Sequence, residues 1–470
     1  MDYTFISPEI KGKLVKLLSR DVSVLCIIQA IGIAGGSPYL VGGAVRDLML
    51  NVPIHDIDIE VYGLTYDALE LLLGTFGTVH LQGKAYGVLR VENIAIDWSI
   101  PRQDQEGRKP YVTLNSSLTI HEACMRRDLT MNAMGINLLT DEFVDPLCGM
   151  QDIRLGILRT PQSTFFVQDP LRFYRVMQFI GRFEMYPDQA LQNVCAAMDV
   201  SQVSRERSEQ EYKKLMLYSR APSRGLRWLH TLGRLRELLP ELGDTVGIIQ
   251  PVQWHPEGDV FEHTMQALDA SASLIYQNQE EKLIIMYAVL CHDLGKVETT
   301  RIIEGRIRSI RHEKKGVAPT RALLRRMVCS KRIIRVVEVL VRYHMEPGYY
   351  VTSPASDGAY KLLAYKLAPH ATLAMLALVA RADRCGRNAD DQTPLPLFHA
   401  KAIDAFIDRA RALGVLYKHE APVLKGGDLL DSIEPGPMMK DRLDKAYRIQ
   451  VQEGIRDKMM LKRRVVNVKE

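Results

Sequence analysis

Up to about residue 160 the apolar positions come in short runs bounded by turn formers. Tyr39-Leu40-Val41 and the stretches 54–62, 87–91 and 94–100 are rich in β-branched residues or alternate apolar with polar, as strands do. After Pro170 the spacing becomes helical almost to the end, as in 170–183, 282–290, 320–328 and 360–381. The pattern predicts an α+β protein: a β-rich head with a small mixed sheet and helices, then an all-helical body. There is no internal repeat and no low-complexity segment. The stretch 243–250 reads as a connection between helical units, and 390–396 as the start of a tail. The expected division is 1–150, 151–245, 246–390 and 391–470.

Composition narrows the class. A chain of 470 residues exceeds one ordinary core, and 47% hydrophobic with 25% charged residues is the balance of a soluble globular protein. The start, Met1-Asp2-Tyr3-Thr4, lacks the basic and apolar regions of a signal peptide, and no apolar run is long enough for a bilayer, so a cytoplasmic location without membrane attachment is expected. Seven scattered cysteines with no CxxC pair read as reduced, mostly buried thiols, neither a zinc site nor a disulfide framework. The net charge of +5 fits a polyanionic partner only weakly. Between 301 and 342 the bases Arg306, Arg308, Arg311, Lys314, Lys315, Arg321, Arg325, Arg326, Lys331, Arg332 and Arg335 outnumber acids; they read equally as a solvated helix face or an RNA-facing patch.

The chemistry is concentrated at Leu40-Val41-Gly42-Gly43-Ala44-Val45-Arg46-Asp47, a strand running through a glycine pair into a helix. Glycines such as Gly43 let backbone approach a phosphate, the helix N-terminus offers free N–H groups, and Arg46 offers a fork for a triphosphate oxygen. Alone, a Gly-Gly turn would mean little. It is followed by Ile54-His55-Asp56-Ile57-Asp58-Ile59-Glu60, where strand alternation puts Asp56, Asp58 and Glu60 on one face. Like charges so placed call for a divalent cation, and Mg²⁺ between carboxylates and phosphates suits in-line displacement. Asp97, with Ile94, Ile96 and Trp98 on the opposite strand face, is the candidate third carboxylate, deprotonating an attacking hydroxyl.

GGAVRD followed by HDIDIE resembles the class II tRNA nucleotidyltransferase and bacterial poly(A) polymerase family, within the polymerase-β-like nucleotidyltransferases. Arg126-Arg127-Asp128-Leu129-Thr130-Met131-Asn132-Ala133 matches the family's next element, in which the second arginine, here Arg127, contacts the nucleotide. Asp145-Pro146-Leu147-Cys148-Gly149 matches the turn after it, with Cys148 in place of a glycine, and Glu206-Arg207 with Glu211 matches a helix of structural role. The resemblance implies a nucleotidyltransferase head at 1–150 and a nucleotide-selecting, RNA-binding helical neck at 151–245. The selecting element in this family is EDxxR; here it is Gln168-Asp169-Pro170-Leu171-Arg172, with Arg175 one turn on. Arg172 offers only donors and Asp169 only acceptors, which suits the edges of cytosine and adenine and leaves guanine and uracil with unpaired groups. Gln168 in place of glutamate brings no charge, so its neighbouring arginine is expected to be oriented more loosely.

A second set, His263, His292-Asp293 in Cys-His-Asp-Leu-Gly-Lys, and Asp383, resembles the HD phosphohydrolases, whose four ligands hold a divalent cation on a helical bundle. Imidazole and carboxylate donors suit a transition metal or Mg²⁺. His312 and His344 fall where two-metal members carry extra histidines. The combination implies an HD domain at 246–390, a helical tail at 391–470, and CTP, ATP and tRNA as partners. Lys425-Gly426-Gly427-Asp428-Leu429 and Pro435-Gly436-Pro437 partly match the C-terminal element of this HD-bearing subgroup.

The expected reaction is addition of C and A to the tRNA 3′ end without a template. The alternatives are partial CC or A addition, poly(A) synthesis, a phosphohydrolase with a degenerate head, or a non-catalytic RNA-binding protein. Arg102, Arg108 and Lys109 show the loop between Trp98 and Cys124 to be present, which favours full CCA addition.

Overall fold

The computed structural model describes residues 5–19, 21–54, 56–82, 87–104 and 112–466; His55, Arg108, Lys109 and the side chain of Arg102 lie outside what is described. The chain divides into two compact units. Met1–Val176 with Met185–Gln202 form one, and Met177–Glu184 with Val203–Glu470 the other.

The first unit is built on a seven-stranded sheet, in edge-to-edge order Val79–Gln82, Val88–Val91, Asp97–Ser99, Asp58–Tyr62, Ser37–Val41, Gly135–Asn137 and Phe143–Val144. Asp97–Ser99 and Asp58–Tyr62 run parallel and the other neighbours antiparallel, so the sheet is mixed, as expected. Its register is fixed by one apolar row: Leu89 lies beside Trp98, Trp98 beside Ile59, Ile59 beside Leu40, Leu40 beside Ile136, and Ile136 beside Phe143. All six are buried in one core. A slip of one residue would turn such a row to the polar face, so burial pins the pairing. The helices Pro8–Leu18, Val22–Ile33, Gly43–Met49 and Tyr66–Gly74 join this core through Leu14, Ile27, Ile31, Val45, Leu48, Leu69 and Leu73. Three start at side-chain caps, Ser7, Asp21 and Thr65, each accepting from a first-turn N–H.

The second unit is mainly helical, with two departures from the sequence expectation. The stretch 360–381 is not one helix but two, Asp357–Leu367 and Leu373–Cys385. Pro369 interrupts them, since proline lacks the N–H a helix needs and biases Ala368 to extended backbone (ψ 150°). The body is also not wholly helical: Thr300–Ile303 and Arg306–Ser309 form an antiparallel hairpin. Glu304 and Gly305 both have positive φ, 52° and 71°, the requirement of the tight two-residue turn that matches strand twist. Arg301, Arg306 and Arg308 therefore stand on a hairpin, not a helix face. Further on, Lys315, Arg321, Arg326, Arg332 and Arg335 are ion-paired with Glu298, Glu338, Glu241, Glu280 and Glu338. Five of the eleven bases in that run are thus engaged within the unit.

Gly295 marks a close backbone contact within this unit. A Cβ on Gly295 would stand 2.1 Å from the His312 carbonyl oxygen and 2.5 Å from the Gly316 nitrogen, so two backbone segments touch there. Backbone cannot swing aside as a flexible side chain does. Gly295→Ala is expected to destabilise the protein by about 1–3 kcal/mol, the usual cost of overpacking. A melting temperature equal to the parent's would show that the two segments separate freely.

Candidate functional site

The constellation expected to polymerise sits on the polar side of the head sheet. Gly42, with φ +69°, turns the strand Ser37–Val41 into the helix Gly43–Met49, a conformation that suits glycine alone without strain. No side chain caps that helix, so Gly43 and its neighbours present uncapped N–H groups. The Arg127 guanidinium lies over the turn, with Nη1 3.5 Å from where a Cβ of Gly42 would be, and Nη2 3.3 Å from Glu60 Oε2. Arg46 is placed differently from the sequence expectation. It is 4% exposed, its Nε donates to Asp47 Oδ1 at 2.8 Å and its Nη1 to Asn132 Oδ1 at 2.5 Å. Here the guanidinium braces the helix against the Asn132 turn.

Because the apolar row fills one face, the next positions put Asp58 directly beside Asp97 on the parallel strands. Asp56 precedes the strand and is exposed. Burial and the neighbouring carboxylates of Asp97, Asp56 and Glu60 push the Asp58 carboxyl above its ordinary value, with Arg127 pulling the other way. This surplus of negative charge, made of hard oxygen donors, fits Mg²⁺. Arg90 is a partner that the sequence reading missed. Its Nε lies 2.7 Å and its Nη2 2.5 Å from Asp97 Oδ1. The signal for it was register: Arg90 is on the polar face of the adjacent strand.

The third part is the start of the helix Leu171–Phe183. Asp169 Oδ1 accepts the Leu171 N–H at 3.1 Å. Arg172 donates through Nη1 to the Phe165 carbonyl at 2.6 Å and stacks over the Phe165 ring at 4.1 Å. Arg175 Nε lies 2.8 Å from Asp128 Oδ2. Asp128 thus ties the Arg126-Arg127-Asp128 element to the helix of Arg172, a role not legible from sequence separation. Its burial opposes ionisation, but Arg175, the Asn132 amide at 3.0 Å and Arg172 together hold its carboxyl below the ordinary value.

The second constellation lies wholly in the helical unit. His263 is on Val260–Ala272, His292 ends Gln279–Cys291, and Asp383 is on Leu373–Cys385. His263 Nε2 is 3.2 Å from His292 Nε2 and 3.2 Å from Asp383 Oδ1, and His292 Nε2 is 3.3 Å from Asp293 Oδ2. All four expected ligands therefore meet. Imidazole nitrogens and carboxylates at these separations fit a divalent transition metal. Burial opposes the charge on Asp293, but His292 and Lys296 (Nζ to Oδ2 2.6 Å) hold its carboxyl well below the ordinary range. Asp383 is held down in the same way, chiefly by Arg387 and His263.

Sequence reading also missed Glu257. Its carboxylate accepts from Nδ1 of His263 at 2.7 Å and of His255 at 2.9 Å, and these bonds hold it down to about 2 against its burial. A carboxylate behind a histidine fixes which ring nitrogen faces the metal. Among the described residues, the sets of three or more metal-ligand side chains lying together all belong to this second constellation.

Comparison with known proteins decides the family. The head matches the poly A polymerase head domain over residues 38–159. A multifunctional CCA protein of Pasteurella multocida is 30% identical, aligned over 76% of this chain and 86% of its own length. The chain belongs to the multifunctional CCA protein family. Homologues from Mannheimia succiniciproducens and Xanthomonas oryzae align equally well, at 30% identity over 76% of this chain and 86% and 87% of theirs. The fold is that of a Bacillus stearothermophilus CCA-adding enzyme solved in complex with CTP: TM-score 0.63 and 21% identity, over 94% of this chain and 96% of that one. A Thermotoga maritima CCA-adding enzyme solved with tRNA gives 0.55 at 16% identity, over 98% and 95%. As a CCA-family chain, this protein is a tRNA nucleotidyltransferase. No helix among the described residues is long and apolar enough to cross a membrane.

The Asp128–Arg175 bridge has a pH signature. Asp128→Asn removes a buried charge partner of a half-exposed arginine and is expected to cost about 2 kcal/mol. A carboxyl held below its ordinary value contributes stability that is complete above that value, 3.8, and lost as pH falls through the folded-state value. Urea unfolding should show a constant gap between parent and variant from about pH 7 to pH 5, closing only in more acid solution. A gap that closes near neutrality would point to another group.

Proposed function

We propose that this chain completes the tRNA 3′ end by adding C and A from CTP and ATP, with the head carboxylates as the polymerising centre. The observation that carries this reading is the pairing of Asp58 with Asp97 beside the Gly42–Gly43 turn, in a chain of the CCA family. Enzymes of this family use a divalent cation such as Mg²⁺; here Asp56 and Asp58 would hold it. When bound, the cation neutralises charge on the triphosphate and the attacking oxygen. Asp97, oriented by its ion pair with Arg90, takes the proton of the 3′-hydroxyl. The uncapped N–H groups at Gly43 and the Arg127 guanidinium hold the phosphates, while Arg46 secures the helix behind them. Asp169 and Arg172 meet the base edge and Arg175 keeps their helix in position through Asp128. An unmade buried hydrogen bond costs about 1–3 kcal/mol, enough in sum to reject guanine and uracil. The matching of homologues across 76% of the chain, well beyond the head, favours CCA addition over poly(A) synthesis. The reaction belongs in the cytoplasm, and all seven cysteines are unpaired, which suits a reducing compartment.

The helical unit carries a second reading. His263, His292, Asp293 and Asp383 would hold a divalent transition metal and hydrolyse phosphoesters, with 2′,3′-cyclic phosphates and phosphomonoesters as the substrate class. Loss of this activity should leave nucleotide addition intact, because the two ligand sets lie in different compact units.

Transcripts ending before C74, after C74 and after C75 distinguish full from partial addition: the parent should extend all three to the complete CCA. Asp56→Ala with Asp58→Ala should abolish extension while tRNA binding persists, and Arg172→Ala should admit UTP or GTP. Extension surviving in the carboxylate double variant would remove the metal role from this pair, and an unchanged base preference would make Arg172 structural. In the same preparations, His292→Ala with Asp293→Ala should lose Mn²⁺- or Ni²⁺-dependent phosphoester hydrolysis yet keep addition within several-fold. Loss of addition in a folded variant would make the helical unit part of the polymerising machinery.

A further inference from the structure

A cleft of about 470 Å³ opens in the helical unit, lined from the helices Asp357–Leu367 and Pro437–Glu453 and from the end of Lys331–Tyr343. None of its lining residues belongs to either constellation described above. Leu362, Ala368 and Pro369 give it an apolar part, and three bases, Lys366, Lys440 and Arg448, give it charge. The geometry points to a nucleoside triphosphate as the ligand of this cleft, bound at a site separate from the candidate polymerising centre.

The bases carry the argument. Lys440, Asp444 and Arg448 recur every fourth residue, so they form one stripe of their helix, about 12 Å long. Asp444 stands one turn from each base and is placed to pair with either, yet its Oδ1 accepts the Tyr365 hydroxyl at 3.1 Å. Among the described residues, neither base of the stripe forms an ion pair, nor does Lys366 on the other helix. Neighbouring bases differ: Lys361 pairs with Glu420, Lys458 with Asp428 and Lys462 with Asp431. A cleft lined by one sign of charge concentrates the opposite sign from solution. Bases spread over two helical turns suit a polyphosphate chain better than a single phosphate.

The rest of the lining asks for more than an anion. Tyr365 is fixed by stacking on Tyr447, with centroids 4.1 Å apart and planes at 22°, and by His419 edge-on at 5.7 Å. His419 Nδ1 lies 2.8 Å from the Glu420 carbonyl oxygen. A carbonyl only accepts, so that nitrogen bears the proton, and Nε2 of the neutral ring is left an acceptor. Asp444 keeps its second oxygen as another. Two acceptors beside apolar carbon and the rings of Tyr343 and Tyr365 suit a flat ligand that carries an amino group or hydroxyls, as a nucleoside does. Polyphosphate alone would leave the apolar part unused, and a lipid would leave the acceptors unused. The volume is that of a small-molecule pocket.

Equilibrium dialysis of the full chain against radiolabelled ATP counts the sites, and photolabelling with 8-azido-ATP followed by peptide mapping locates them. Adducts are expected in peptides bearing Tyr343, Tyr365 or His419, whatever is found in the head. Lys440→Glu with Arg448→Glu should weaken binding at the cleft by about tenfold or more and erase those adducts, with nucleotide addition within about twofold of the parent. Lys440→Ala with Arg448→Ala serves if circular dichroism shows that charge reversal unfolds the chain. No adduct in those peptides, or adducts that survive either pair of changes in a folded chain, overturns the site. Displacement of the label by inorganic tripolyphosphate as effectively as by ATP overturns the nucleotide assignment and leaves a polyanion patch. A fall in tRNA affinity with the ATP count unchanged overturns it too, and makes the bases a contact for RNA backbone.

Discussion

The apolar row across the head sheet is the constraint from which the candidate polymerising site follows. Leu89, Trp98, Ile59, Leu40, Ile136 and Phe143 are buried side by side, so no strand can shift by one place without exposing them. With that face filled, alternation leaves Asp58 and Asp97 adjacent on the other, together with Glu60 and Arg90. Repulsion among the carboxylates would part them if charge alone decided. Burial of the row opposes it at roughly 25 cal/mol per Å² of apolar surface, summed over large side chains such as Trp98. The site is a concentration of negative charge held in place by hydrophobic burial behind it.

Charge pairing does the remaining work of assembly within that unit. Asp128 is the join: fully enclosed, it stays ionised because Arg175, Asn132 and Arg172 converge on it. The same economy recurs at Arg46, whose guanidinium is taken up by Asp47 and Asn132. The arginines of this unit therefore divide into those that build the site and those that face it. Arg46 and Arg175 build, whereas Arg127 lies over the glycine turn.

In the helical unit the governing interaction is different. Six candidate ligand side chains are packed together and largely buried, and each histidine is oriented by an acceptor on its far nitrogen: Glu257 for His263, backbone carbonyls for His292, His312 and His344. Desolvation drives His344 down to about 3, so its ring is neutral and its Nε2 available at physiological pH. Orientation of this kind is costly unless the inward nitrogens have a common partner.

The sequence by itself determined the chemistry and its order. Gly42-Gly43, Asp56 and Asp58, Arg126-Arg127-Asp128, Asp169 with Arg172, and His292-Asp293 are each local, and alternation or helical spacing told which residues share a face. It also foretold the mixed head and helical body, because those periodicities are set within a few residues. What it could not determine were the long-range meetings: Arg90 with Asp97, Asp128 with Arg175, Glu257 with His263, and the two oxygens of Asp293 with separate histidine pairs. The hairpin at Glu304-Gly305 and the break at Pro369 had local causes that a helical pattern obscured. Partners separated by tens of residues are chosen by which cores pack and which backbones touch, as at Gly295 against His312. No local spacing encodes that choice, so only the tertiary structure decided it.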